Sequence, residues 1–447
     1  MSTQDYEPQS VFAQGLKMAI ETDQRGEAPS GTNLHWYQGG GWFDVVTDGL
    51  PTIYDQQAII FPAGHAGKRD MNQQPPVQGR KWSAGDANAV LTHEFIGQWL
   101  YGALGAASHN AVPGTVNVLL ATSSIEADGQ QFALTSQPSD SGATLQIATS
   151  GTNGSGNLTV AGTNAEGNAA SENLSWDGDG AVMYTRTSFS AVTGITVNSV
   201  ATVGGSIAVN GIKHWVHTIW AAGSNPTFSI ERIGDPSAGA ASKSFLHTGM
   251  VIQNLGLDTP ASVRDGIVTV SSTWEGDPTA TCTAKTINEA SGIRIWPAWS
   301  LSLTRDGVSY TRPTNHTLTI NSGNRNYRSA AGVQNPQGTF FGAREVTQSF
   351  DLLLDDETEF NRWRGASQQS LVLSWVSPWL LSTGQYATMV GSLTKTYLEN
   401  VSTADDDGAF SYSADGRTIV DASDGVAKFQ LTDNIPAEAY GGSTVLN

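Results

Sequence analysis

The hydrophobic rhythm of this chain constrains its fold more than any other feature. Apolar residues come in short alternating runs, such as Leu158-Thr-Val-Ala161 and Ile195-Thr-Val-Asn198. The runs are cut by turn pairs: Asn153-Gly154, Asp177-Gly178, Asp179-Gly180 and Gly204-Gly205. Alternation with period two puts one face of an extended segment in a core and the other in water. Gly-containing pairs supply the positive φ that tight hairpins need. Further strand-like runs include Trp42–Val46, Gln57–Phe61, His214–Ala221, Thr227–Arg232, Gly249–Leu255, Gly266–Trp274, Trp296–Arg305, Thr317–Asn321 and Arg344–Leu354. Leu371–Trp375, Ala387–Leu393, Phe410–Tyr412 and Ala427–Leu431 complete the set. The rhythm predicts a mainly β protein with many turns. The 49 glycines agree with it, and 13 Trp, 14 Phe and 11 Tyr supply enough bulk to fill real cores.

Two segments break the rhythm. Thr92–Gly105 (THEFIGQWLYGALG) places Phe95, Ile96, Trp99, Leu100, Ala103 and Leu104 at helical spacing, which predicts a helix with one buried stripe. Thr92 is set to cap it, Glu94 to sit at the positive end of its dipole and Gly105 to stop it in a left-handed conformation. Asp355–Gly365 (DDETEFNRWRG) predicts a short helix with an acidic start, with Phe360 and Trp363 turned inward together. A third short helix is expected at Val11–Ile20.

Composition divides the 447 residues. Residues 1–39 read as an N-terminal arm of the kind that orders against a neighbour. Residues 40–114 and 212–284 read as two parts of a first domain, and 285–447 as a second. Between the two parts, 115–211 is rich in turns and short strands and has close to the ~100 residues of an Ig-like sandwich, so it reads as an insertion. Pro278–Gly292 has the composition of a linker. Pro62–Pro76 and Gly323–Gln337 are long polar loops, a length that points to function or to docking on another subunit. A weak repeat links the two domains. Each has a polar loop with a Pro and a Gln-Gly (Pro76, Gln78-Gly79; Pro336, Gln337-Gly338), then an Arg-led strand (Arg80; Arg344), then a helix with paired aromatics (Phe95, Trp99; Phe360, Trp363). The pattern predicts an internal duplication.

The formal net charge is −18, and charged residues make up only 14%. Proteins that grip nucleic acid neutralise phosphates with basic groups, so tight nucleic-acid binding is not expected. Acidity serves solubility, or a surface that must not hold DNA. Cys282 is the only cysteine, so no disulfide can form within the chain. Met1–Glu27 lacks the basic start and apolar core of a signal peptide, and no run approaches the ~20 apolar residues of a membrane span. Synthesis in a cytoplasm and no membrane partner are expected.

Catalytic and metal patterns are missing or incomplete. There is no Gly-rich phosphate loop ending in Gly-Lys-Ser/Thr and no Gly-x-Ser-x-Gly elbow. His93-Glu94 opens like a zinc-protease helix, but Gly97 stands where the second histidine would be. His214 and His217 lie three apart on an expected strand, so they face opposite sides. Asp355, Asp356, Glu357 and Glu359 are read as helix-start residues, and Asp405-Asp406-Asp407-Gly408 as a solvated turn without the later glutamate of a calcium loop. Trp296 with Trp299, and Trp375 with Trp379, are read as core or subunit-interface packing in preference to a sugar platform. No cofactor, metal or catalytic residue is expected.

Several of these segments carry a family resemblance. Gln78–Gly105 resembles the strand–helix core of the tail tube proteins of long-tailed bacteriophages, with its Gly-Arg start, long strand and helix ending in Ala-Leu-Gly. Asn225–Arg232 (NPTFSIER) resembles the family's Pro-x-Phe-Thr-Ile-Glu strand, and Gly249–Trp274 the strand pair after it. Gly342–Gly365 (GAREVTQSFDLLLDDETEFNRWRG) resembles a second copy of the strand and its acidic helix. Gly154–Gly211 looks like the Ig-like decorations of phage tail proteins. The likeness covers most of residues 40–445.

The resemblance implies tail-tube domains, each a β-sandwich whose inner strands join a barrel and each with a flanking α-helix, two per chain, plus the inserted Ig-like β-sandwich. It implies stacked rings of six such domains, as a trimer with pseudo-sixfold symmetry or as a hexamer, around an acidic lumen through which genome DNA passes without tight binding. The expected partners are further copies of the chain, a tape measure protein inside the tube, and tail terminator and distal tail proteins. Lys68, Arg69 and Asp70 on the first loop and Arg325 and Arg328 on the second are the candidates for contacts between rings or subunits. Two other readings remain open: a phage receptor-binding, adhesin-like tail protein that holds glycans, and a glycan-cleaving tail enzyme with paired carboxylates.

Overall fold

Extended segments dominate the computed structural model, as the period-two rhythm requires. The structure describes residues 16–21, 28, 42–48, 51–60, 77–138, 142–151, 154–176, 180–201, 203–233, 243–260, 266–278, 280–283, 295–311, 313–327, 336, 338–353, 357–382, 384–406, 409–422 and 424–440. Eight strands of its largest sheet are labelled in chain order. They are β1 (Tyr54–Ile60), β2 (Val77–Val90), β3 (Lys243–Thr259), β4 (Thr269–Gly276), β5 (Pro313–Asn321), β6 (Glu345–Leu353), β7 (Gln385–Asp406) and β8 (Ala409–Thr418). All their pairings are antiparallel, in the order β1-β2-β4-β3-β5-β6-β8-β7. The protein is mainly β, and among the described residues the sheet does not close into a barrel.

The order contains the same arrangement twice. In β1-β2-β4-β3 and again in β5-β6-β8-β7, the first two strands pair as neighbours, and the last strand in sequence lies between the second and the third. The fine register repeats as well. Ile252 faces Trp274 and Asn254 faces Thr273, with Gln253 bulged between them. Leu398 faces Gly416 and Asn400 faces Asp415, with Glu399 bulged between them. A bulge is a fixed feature of a ladder, so one at the same place in both units marks them as equivalent. The two units meet where β3 pairs with β5, from Asn254↔Asn321 to Thr259↔His316.

Helix α1 (His93–Leu104) follows β2 and lies beneath the first unit. Gly105 ends it with φ 93°, the left-handed stop expected from the sequence. The helix is buried on nearly every side and not along a single stripe. Trp99 packs edge-on to Phe95 and Trp274. A Cβ on Gly97 would stand 1.8 Å from the Tyr440 hydroxyl, so no side chain fits there. Thr92 occupies the cap position, but its side chain makes no capping bond. The short helix α2 (Thr358–Arg364) follows β6 in the second unit, with Phe360 and Trp363 half-buried against the core.

After α1 the chain runs into a long ribbon, Gly105–Ser124 paired with Ser206–Ala221. Its far end enters a second core, which gathers residues from Leu119 to Val209. There a four-stranded sheet (Gln131–Phe132, Phe189–Val200, Gly156–Asn164, Ala169–Trp176) shares that core with Thr144–Ser150, Val182–Tyr184 and the ribbon ends. Buried polar groups lock this region to α1. The Arg186 guanidinium donates to Glu94 at 2.6 and 3.1 Å. The backbone N–H groups of Arg186 and Thr187 donate to Glu172 at 2.8 and 2.9 Å. Tyr184 donates to Glu438 at 2.8 Å. Nearby, His217 stands between His109, 2.8 Å away, and Asp433, 3.0 Å away, with the Tyr440 ring tilted against both histidines.

Several local expectations are overturned. Leu16–Ile20, expected within a helix, is a buried strand between Phe43–Val45 and Phe228–Ile233; residues 11–15 of that expected helix lie outside the described residues. Two strand neighbours satisfy its backbone, which a short isolated helix does poorly. Ala280–Thr283, expected in a linker, continues the sheet against β3. Part of the expected loop Gly323–Gln337 is ordered, with Arg325–Tyr327 paired to Gly338–Phe340. Glu94 is an ion-pair partner of Arg186, not only a dipole residue. Glu359 is likewise buried, taking bonds from the Arg305 guanidinium and, at 2.9 Å, from the Tyr310 hydroxyl. Trp296, Trp375 and Trp379 are core residues, whereas Trp299 is 79% exposed.

Two predictions follow from the buried polar groups. Arg186→Ala leaves Glu94 and Glu172 buried without their cation, so a stability loss of about 3–5 kcal/mol is expected in urea denaturation. A loss below about 1 kcal/mol would show that the joint does not depend on the pair. The second concerns pH. Burial pulls His316 down to about 4, His247 to about 4 and His109 to about 3, from the ordinary 6.5. The unfolded chain takes these protons first, so their stabilising contribution is full above pH 6.5 and is lost as pH falls towards 4. Burial raises Glu172 to about 7 from 4.5, and its contribution runs the other way, present at low pH and lost between 4.5 and 7. His316, beside Phe350 and Trp375, is the cleanest probe. His316→Phe should remove about 3 kcal/mol of the acid-side loss, read from denaturation midpoints at pH 6.5 and 4; an unchanged pH profile would refute the assignment.

Candidate functional site

The eight-stranded sheet has two unlike faces, and alternation along each strand decides which residue goes where. Towards the core point Ala87, Ala89, Leu255, Leu257, Val270, Trp274, Leu318, Ile320, Val346, Phe350, Leu352 and Ala414, all buried. Their neighbours on the opposite face are Asp86, Asn88, Asn254, Asp258, Ser271, Thr273, Glu275, Thr317, Thr319, Asn321, Glu345, Thr347, Ser349, Asp351, Ser413 and Asp415, none of them buried. This second face is mostly polar and markedly acidic, with Ala84, Tyr54 and Val90 among its few apolar or aromatic members.

Cross-strand hydrogen bonds set its side chains. Thr273 donates to Asp86 at 2.8 Å, Thr317 to Asp258 at 2.7 Å and Ser349 to Asp415 at 2.8 Å. The bulged Gln253 donates to Glu275 at 2.7 Å, and at the matching bulge Glu399 pairs with Arg417 at 2.8 Å. Arg417 also holds Glu345 at 2.8 Å. Hydroxyl and amide donors orient the carboxylates without neutralising them, so the face keeps negative charge. Arg417 is the cation among these groups, and it is shared between two glutamates. Asp258 and Thr317 straddle the β3–β5 junction, so the polar face is continuous from one unit to the next.

Both ends of the sheet are open among the described residues. β1 pairs with β2 on one flank and with no strand on the other. β7 pairs with β8 along Thr396–Asp406, and on its other flank the strand Gln369–Ser382 reaches only as far as Thr396. Beyond that point α2, and no strand, meets β7, where the Trp363 indole donates to the Glu399 carbonyl at 3.0 Å. Tyr54 at one edge is 47% exposed, and Asn400, Ser402 and Thr403 at the other are exposed. An open edge with unpaired backbone groups is a template for another strand.

The residues singled out from sequence lie elsewhere. Arg325 is exposed on the Arg325–Tyr327 ribbon, beside exposed Tyr327 and the 63% exposed Phe340. Lys68, Arg69, Asp70 and Arg328 lie outside the described residues. The acidic face and the two edges were not singled out. Their signal was present in runs such as Thr317-Leu-Thr-Ile-Asn321, where every second residue is polar. Among the described residues no group of three or more His, Cys, Asp and Glu could hold a metal ion, and no helix is long and apolar enough to cross a membrane.

Comparison with known proteins adds a family. The profile of the phage tail tube proteins matches residues 67–382, more than two thirds of the chain, from before β2 to the end of the strand Gln369–Ser382. No curated protein matches the chain. The chain belongs to the phage tail tube protein family, and it is a structural protein of the virion tail that self-assembles into a tube.

Proposed function

We propose that copies of this chain join edge to edge into rings, that the rings stack into the tail tube, and that the acidic sheet face lines the lumen through which genome DNA is delivered. The observation that carries this reading is an eight-stranded sheet with one polar, acidic face and both edges open. Closing sheets between subunits covers open edges and makes a conduit. A face with few cations offers DNA no phosphate neutralisation, so DNA slides and is not held.

On this reading residues 40–114 with 212–284 form one tube domain, 285–447 form a second, and 115–211 is an Ig-like decoration on the exterior. Two equivalent units in one chain favour a trimeric ring with pseudo-sixfold symmetry over a hexameric one. The ribbon carrying Arg325, the loop segments with Lys68, Arg69, Asp70 and Arg328, and the arm 1–39 are the parts we assign to gripping neighbouring rings or subunits. Their mixed charge would fix register more than affinity. A tape measure protein would fill the lumen before ejection, with tail terminator and distal tail proteins at the two ends.

Purified protein should form rings or tubes in negative-stain micrographs and should not retain DNA at about 150 mM salt. A stable monomer that binds a glycan would favour the adhesin reading instead. Replacing Asp86, Asp258 and Asp415 together by Lys should turn the lumen basic. The tubes should then hold DNA at low salt and release it steeply as salt rises. Tubes of that variant that ignored DNA would place the face away from the lumen.

A further inference from the structure

The internal repeat predicts the contact between chains residue by residue. We propose that β7 of one chain pairs antiparallel with β1 of the next in the same register as β3 pairs with β5 inside the chain, with Asn400 opposite Gln56 and Ser402 opposite Tyr54. This rests on the tube reading and adds to it a specific interface.

The register comes from two anchors. The matching bulges at Gln253 and Glu399 make Asn254 equivalent to Asn400 and Gly256 to Ser402. Following the pairs across the sheet, Thr273↔Asp86 corresponds to Asp415↔Ser349, and Tyr54↔Ala84 therefore corresponds to Thr319↔Thr347. Tyr54 thus stands where Thr319 stands, and Gln56 where Asn321 stands. Inside the chain Asn254 faces Asn321 and Gly256 faces Thr319. Transferring those pairs gives Asn400 with Gln56 and Ser402 with Tyr54.

The local chemistry is compatible with that register. On the polar face it sets exposed Asn400 beside Gln56, and exposed Ser402 beside Tyr54. On the core face it sets Thr403, exposed at the open edge, beside buried Ile53, continuing the row that Leu257 and Leu318 form at the internal junction. Asp55 would lie opposite Val401, and its carboxylate already accepts the Ser83 hydroxyl at 2.8 Å. A ring built this way has twice as many equivalent sheet units as chains. The second core, gathered from Leu119 to Val209, occurs once per chain, so the outer rim has half the rotational order of the inner wall.

The test uses the full chain with Cys282→Ser as background. Opposed residues of an antiparallel pair have Cα atoms about 4.5–5.5 Å apart, within disulfide range. Ser402→Cys with Tyr54→Cys should give interchain disulfides in assembled tubes on oxidation, seen as a ladder in non-reducing electrophoresis. Asn400→Cys with Thr52→Cys, four residues out of register, should give none. A control pair that links as well as the matched pair, or a matched pair that fails to link in normal tubes, overturns the register while leaving the tube reading intact. If the variants do not assemble, end-on averages of wild-type rings decide. An inner wall with twice the rotational order of the rim supports the proposal, and equal orders overturn it. Wild-type protein that forms no ring removes the tube reading and the interface together.

Discussion

The pairing of β3 with β5 is the contact on which the rest of this molecule depends. It joins two four-stranded units that would otherwise each end in an open edge. Leu255 with Ile320 and Leu257 with Leu318 carry the core across the seam, while Asp258 and Thr317 carry the polar face across it. Without that seam the two cores would be separate and the acidic face would be divided. With it, the same ladder geometry that unites the units leaves one edge of the pair unpartnered at each end. The property that gives the two units one shared core thus also leaves the pair of them with an edge strand at each end.

The second dependence is on α1. It is the one long helix among the described residues, and it lies beneath the first unit where the sheet, the ribbon and the C-terminal segment meet. Gly97 lets Tyr440 approach on one side, and Gly102 lets Phe228 and Ile252 approach on another. Its first turn reaches the region of the second core through Glu94 and Arg186. A buried ion pair adds little net stability compared with apolar packing, but breaking it is costly. The pair therefore suits a joint that fixes orientation, and the Glu172 bonds to the same backbone turn reinforce that role.

Much of the fold was legible because it is written in local periods. The alternating runs located most strands, and THEFIGQWLYGALG located α1 and its Gly105 stop. Where reading failed, the deciding partner was distant. Leu16–Ile20 is a strand because Phe228–Ile233 lies beside it, about two hundred residues away in sequence. Glu359 is buried because Arg305 and Tyr310 meet it there. The candidate surface was harder still to read. Loops stand out in sequence by composition and length, so Lys68, Arg69, Asp70, Arg325 and Arg328 drew notice. A polar sheet face is spread one residue in two over eight strands, and each Thr or Asp on it looks like ordinary solvation. Only pairing brings Asp86 beside Thr273, or Asp415 beside Ser349, and shows one surface.

That surface ties the overall acidity to position. A net charge of −18 spread at random would serve solubility alone. Here the carboxylates of Asp86, Asp258, Glu275, Asp351 and Asp415 lie on one face, held by hydroxyl and amide donors that leave their charge in place. Repulsion among them is tolerable because salt screens charges beyond about 8 Å at physiological ionic strength. On the proposed reading, with this face lining the lumen, the same screening would limit how strongly it repels a phosphate backbone, so that it would neither hold DNA nor oppose its passage at distance. A conduit of the kind proposed would need that balance, and a sheet whose carboxylates are held by neutral hydroxyl and amide donors would supply it without any moving part.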